Sequence, residues 1–152
     1  MNKTIEFHQL KKTEGEWKYE PDKMQWVDPE TKLDCMIVRH DRLYHLCGYV
    51  GVPKSHSCFG KNYDDVYVEV HGGLTFSEKC NPEPNDMGIC HIKELGTNEE
   101  VFWFGFDCAH LGDKSPGMEK YSFNKTDQYR NFAYLIEQTI NLAKQLKELN
   151  HE

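Results

Sequence analysis

Tyr129, Phe132, Leu135, Ile136, Ile140, Ala143, Leu146 and Leu149 recur at helical spacing near the end of the chain and define one apolar stripe. A helix with a single such stripe needs a second layer on which to bury it, and nearly everything upstream reads as strand or loop. The spacing predicts a helix over 126–150, with Thr126 as N-cap and Asp127 in the first turn. The fold class expected is therefore α+β: a mostly antiparallel sheet, one C-terminal amphipathic helix packed on it, and long functional loops.

The strands come from runs of β-branched and aromatic residues. Val101 to Phe106 is almost wholly apolar and aromatic, as for a central strand buried on both faces. Asp34 to His40 and Leu43 to Val52 read as a hairpin turning at Asp41-Arg42 and ending at Pro53. Val66 to Val70 alternates with strand period, which places three valines on one face and Tyr67 and Glu69 on the other, with His71 continuing the second face. Gly72-Gly73 breaks or bulges that strand before Leu74-Thr75-Phe76 resumes it. Thr4 to Leu10 and Glu16 to Tyr19 are strand-like, but Pro21 and Pro29 punctuate them, so residues 1–33 are expected to form edge structure or a wrapping, peripheral arm. Ser77 to Glu100 reads as a long excursion with one short strand near Ile89 to Ile92. The whole is expected to be one domain, 1–152, with a β-rich core over 34–110.

Composition narrows the partners. A net charge of −7 opposes binding to extended nucleic acid, although a local basic pocket for a small anion remains open. No apolar leader or membrane-length run is present, so the expectation is a soluble, cytoplasmic protein. On that footing the six cysteines read as free thiols.

Two segments concentrate the chemistry. In His71-Gly72-Gly73-Leu74-Thr75-Phe76-Ser77 the glycines let backbone approach a ligand and aim N–H groups at an anion, while Thr75 and Ser77 offer hydroxyls from one strand face. The alternative is a glycine bulge with an incidental histidine. Asp107-Cys108-Ala109-His110, followed by Asp113, delivers a carboxylate, a thiol and an imidazole at the end of a core strand. Cys108 and His110 are expected to share one face and Asp107 the other, with Asp107 free to pair with His71 and raise its basicity. The alternative is that Cys108 is a small buried hydrophobe and Asp107 caps a turn.

Two imidazoles and a thiolate, from His71, Cys108 and His110, would suit zinc with an open fourth position, but their spacing matches no established zinc motif and no cofactor is favoured. Without metal, His71 and His110, assisted by Asp107, could act as general base and acid. Cys80, Cys90 and His91 form a lesser set without a fourth ligand, best read as free thiols. Tyr49, His56, Tyr63, Asp64 and Asp65 flank the glycine segment, and Tyr49, Trp26 or Trp103 could stack on a base, although aromatic residues usually belong to cores. His40 and His45 read as surface or edge residues.

Taken in order, Cys47-Gly48-Tyr49-Val50-Gly51-Val52-Pro53, His56, Tyr63-Asp64-Asp65-Val66, Val70-His71-Gly72-Gly73-Leu74-Thr75-Phe76-Ser77, and Trp103-Phe104-Gly105-Phe106-Asp107-Cys108-Ala109-His110 with Asp113 resemble a widespread family of small uncharacterised bacteriophage and prophage proteins. The helix from Tyr129-Arg130-Asn131 through Leu146 is also similar to that family's ending. The resemblance implies phage origin and action in a bacterial host cytoplasm, and it implies no reaction.

By analogy with small phage accessory proteins, the expected role is anti-defence. The chain would sequester a nucleotide-derived immune signal, of ADP-ribose type or a cyclic oligonucleotide, through His71, Gly72, Gly73, Thr75, Ser77, Asp107, Cys108, His110, Asp113, Tyr49 and His56. A phosphodiesterase-like hydrolase and a protein-binding module with structural histidines are the alternatives. A homo-oligomer is compatible with either.

Overall fold

Val101–Asp107 is buried along nearly its whole length because both of its faces are apolar, and it pairs with a neighbouring strand on each side. The computed structural model describes residues 2–8, 10, 13–92, 95, 100–121 and 127–150. Its strands are β1 (Lys3–Ile5), β2 (Lys23–Val27), β3 (Asp34–Arg39), β4 (Leu46–Pro53), β5 (Phe76–Lys79) and β6 (Val101–Asp107). They form one sheet in the order β1-β2-β3-β4-β6-β5, with every pairing antiparallel. One α-helix among the described residues, α1 (Phe132–Glu148), packs across β3 and β4, so the architecture is α+β.

Strand alternation sorts the core into two layers. Cys35, Ile37, Val50, Phe104 and Phe106 face Leu135, Leu142, Ala143 and Leu146 of α1. Met36, Val38, Tyr49 and Trp103 point to the opposite face, where Phe7 covers them. Gly48 lets the helix close on the sheet, since a Cβ there would strike both the Phe106 ring and the Thr139 hydroxyl.

Several expectations change. The helix begins at Phe132, where the Asn131 side chain accepts from the Tyr134 amide and so caps it. The expected cap Thr126 lies outside the described residues. The first 33 residues form edge structure, β1 and β2 at one side of the sheet, but they are more than a peripheral arm, because they also bury Trp17, Asp22, Lys23 and Gln25. Glu16–Tyr19 is a 3-10 turn. Asp22 pairs with the fully buried guanidinium of Arg39 at 2.9 Å, and Tyr129 accepts from the same guanidinium, so a buried ionic network joins the N-terminal segment to the start of the helix.

Val66–Val70 forms no strand, although Val66, Val68 and Val70 do face the helix-side core. Side-chain amides of α1 satisfy part of its backbone, at Glu69 and at the adjoining His71. Gln145 accepts from the Glu69 amide at 2.7 Å and donates to the Glu69 carbonyl, and Gln138 accepts from the His71 amide at 3.0 Å. Alternation set which side chains are buried, and the hydrogen-bond partners turned out to be a helix surface.

Past β5 the excursion folds back over β2. Cys80 and Cys90 are joined by a disulfide, contrary to the free thiols expected, with Asn81 bridging Ile89 beside it. The buried Lys23 ammonium donates to the carbonyls of Asp86, Gly88 and Cys90 at 2.7–2.9 Å. Cys35, Cys47, Cys58 and Cys108 are free and buried. Among the described residues, no helix is long and apolar enough to cross a membrane.

Candidate functional site

The end of β6, the turn at residues 71–73 and the start of α1 meet at one edge of the sheet, and they bring His71 between two partners. Its Nε2 lies 2.7 Å from Asp113 Oδ2 and its Nδ1 lies 2.7 Å from the Tyr134 hydroxyl. A carboxylate only accepts, so Nε2 carries the proton and, in the neutral ring, Nδ1 accepts from the phenol. The orientation of His71 is thereby fixed at both nitrogens.

Asp113 is the hub. Its side chain is 1% exposed, and it also accepts from the His110 amide at 3.0 Å and from Arg130 Nε at 2.9 Å. Burial pushes its carboxyl pKa up, but the hydrogen bonds from His71, Arg130 and the His110 amide outweigh this and hold it below the usual carboxylate value. It is therefore a carboxylate at neutral pH. Arg130 reaches from it to Gln128 through Nη1 at 3.0 Å and lies over the Tyr134 ring, 5.1 Å from its centroid. Burial raises the Tyr134 phenol, which keeps its proton and acts as a donor.

A second set adjoins the first. Asp107 accepts from Thr75 Oγ1 at 2.9 Å and from the Ala109 amide at 3.1 Å. Its Oδ1 lies 3.2 Å from His110 Nε2, although that nitrogen is buried and not aligned for a hydrogen bond. The His71 and His110 rings stand 6.1 Å apart between centroids. Two histidines, each beside its own aspartate, thus share one edge of the molecule.

The expected pairing of Asp107 with His71 is corrected, since Asp113 takes that place and Asp107 serves Thr75 and His110. Cys108 does not share a face with His110. Its thiol is buried in the helix-side core and pushed well up by desolvation, so it cannot join His71 and His110 as a metal ligand. Among the described residues, no three His, Cys, Asp or Glu side chains gather closely enough to hold a metal.

The glycines work differently from an anion cradle. Gly72 has φ +70° and a Cβ there would collide with the His110 ring, so it is the seat on which that ring rests. Gly73 is left-handed too, but its amide donates to the Val70 carbonyl at 2.8 Å and is not free for a phosphate.

Five further expected contacts lie elsewhere. Tyr49 is buried on the opposite sheet face against Phe76. His56 donates from Nε2 to the Leu146 carbonyl at 2.7 Å and accepts the Cys58 amide on Nδ1, so it closes the end of α1, and burial lowers its pKa. Ser77 accepts from the Tyr63 amide. Trp26 and Trp103 are core residues. His45, expected at the surface, is buried and stacks on His40 at 4.8 Å.

Arg130, Tyr134 and Gln138 had no functional reading in the sequence. Arg130 and Tyr134 lie four residues apart around the N-terminal end of α1, and their spacing was the one available signal. An open groove of about 560 Å³ runs along the outer face of α1 and includes Gln138, the residue that holds the His71 amide. Leu111, beside His110, is fully exposed. The chain matches no known protein family, no curated protein and no solved structure.

Proposed function

We propose that this chain binds a small phosphate-bearing, nucleotide-type molecule at the His71–Arg130 edge of the sheet and holds it without altering it. The observation that carries this reading is that both ring nitrogens of His71 are already engaged, by Tyr134 and Asp113. A histidine held at both nitrogens shapes and polarises a site and has no lone pair free to act on a ligand. Beside it, Arg130 spends Nε on Asp113 and Nη1 on Gln128, and the rest of its partly exposed, planar fork suits a phosphate oxygen. Thr75 and His110 supply further polar contacts, and Tyr134 or Leu111 an apolar surface for a base or ribose.

Together with the resemblance to phage proteins, this supports an anti-defence role: sequestration of an ADP-ribose-type or cyclic oligonucleotide immune signal in the host cytoplasm. Incubation with a nucleotide panel, followed by heat denaturation and chromatography of what is released, should return intact ligand. His71→Ala and Arg130→Ala should each abolish retention. Retention of nothing across the panel, with nothing altered, would overturn the proposal in favour of a protein-binding module.

One observation favours a second reading, a phosphodiesterase-like hydrolase. His71 and His110 each have a carboxylate partner and stand 6.1 Å apart between ring centroids, so a ligand that displaced the Tyr134 hydroxyl from His71 Nδ1 would free that nitrogen to act as base with His110 as acid. Cleaved nucleotide in the same experiment, lost in His110→Ala, would establish it.

A further inference from the structure

We infer that the outer face of α1 is the contact between two copies of this chain, paired antiparallel about a twofold axis near Ile140 and Asn141. The inference goes beyond the ligand reading and does not depend on it.

The inner face of α1 is spent on the sheet, through Leu135, Leu142, Ala143 and Leu146. Its outer face is mostly polar: Ala133, Glu137, Asn141 and Lys144 line the open groove, and Ile136 and Ile140, half-buried where they also pack against the core, form its apolar flank. Ala133, Glu137, Ile140 and Lys144 follow one another at intervals of four, three and four residues, the spacing of a seam between two helices.

Charge selects the occupant. Glu137 makes no ion pair among the described residues, and Lys144 reaches only Glu30, at 3.7 Å, with both side chains largely exposed. Within one helix, Glu137 and Lys144 are two turns apart, about 10 Å along the axis, too far to pair directly. An antiparallel copy of the same helix, centred between residues 140 and 141, sets Glu137 of each chain opposite Lys144 of the other. One operation makes the pair twice, as an isologous interface requires, and brings Ile140 onto its symmetry mate's surface. A random acidic or basic partner would satisfy one of the two charges and oppose the other. A patch of one helix face is small for a permanent dimer, so the association is a weak one, seen only as concentration rises.

Sedimentation equilibrium on the full chain tests this, with circular dichroism to show that each variant keeps its helix. The wild-type chain is expected to approach twice the mass of one chain as concentration rises. E137K and K144E should each weaken dimerisation at least tenfold, and the E137K/K144E double variant should restore it. A wild-type chain that stays monomeric at every concentration overturns the inference. So does a dimer whose affinity moves less than twofold in both single variants, because its contact would lie on another face.

Discussion

His71 Nε2 and Asp113 Oδ2 lie 2.7 Å apart, across 42 residues of sequence, and the Asp113 carboxylate they share with Arg130 is almost wholly shielded from solvent. This one carboxylate fixes the tautomer of His71, the direction of Arg130 and the start of the 110–113 turn.

Removing its charge should therefore be felt in stability as well as binding. Asp113→Asn is expected to cost on the order of 2–4 kcal/mol in urea unfolding at pH 7, because Arg130 and His71 lose a common charged partner. The pH dependence has a definite sign. The Asp113 pKa is lower folded than unfolded, so its contribution is present above the unfolded value near 4 and disappears as pH falls through the folded one. The variant should show a shallower loss of stability below pH 4 than the parent.

His45 governs a different window. Burial, with His40 close by, lowers its pKa to about 4, so the folded protein keeps it neutral where an unfolded chain protonates it at about 6.5. Stability is then complete above pH 6.5 and falls as pH drops toward 4, by on the order of 3 kcal/mol if His45 acts alone. Denaturant midpoints measured between pH 7.5 and 4.5 should drop in the parent and drop less in His45→Gln. An unchanged slope would assign the acid sensitivity to other groups, the buried His56 first.

The two glycines should separate backbone strain from a steric clash. Gly73→Ala meets open space and carries only the left-handed backbone penalty, about 1 kcal/mol. Gly72→Ala carries the same penalty and also drives its methyl into the His110 ring. It is expected to destabilise more than Gly73→Ala and to shift the His110 imidazole signals in NMR spectra. Equal effects would show that His110 is not seated on Gly72.

The disulfide gives a chemical readout. Under denaturing, non-reducing conditions four of the six cysteines should react with a thiol reagent, and all six after reduction. A cross-link closing a loop of about ten residues contributes on the order of 2–3 kcal/mol, so reductant or Cys80→Ser/Cys90→Ser should lower Tm by several degrees.

The residues that were legible in the sequence are those whose role is local. The apolar stripe from Phe132 to Leu146, the two-faced run Val101 to Phe106 and the hairpin strands ending at Arg39 and Pro53 follow from period and composition, because burial on one or both faces leaves a pattern within a single element. His71, Thr75, Asp107, His110 and Asp113 stood out because polar side chains at the end of a core strand and beside paired glycines are unusual neighbours. The Val66–Val70 strand misled for a related reason. Its alternation reports which side chains are buried, and a helix surface can satisfy the backbone as well as a neighbouring strand can.

Sequence by itself thus determined that an antiparallel sheet must be covered by one terminal helix, and that polar chemistry gathers near residues 71–77 and 107–113. Only the tertiary structure decided that His71 belongs to Asp113 and not Asp107, that Tyr134 and Arg130 complete the set, that His56 closes a helix, and that Cys80 meets Cys90. Tyr134 stands 63 residues from His71, and nothing in the local pattern of either segment records the other. Local periodicity fixes the face on which a side chain emerges. Which distant face it meets is set by strand order and helix placement, and these are fixed by packing of the whole chain.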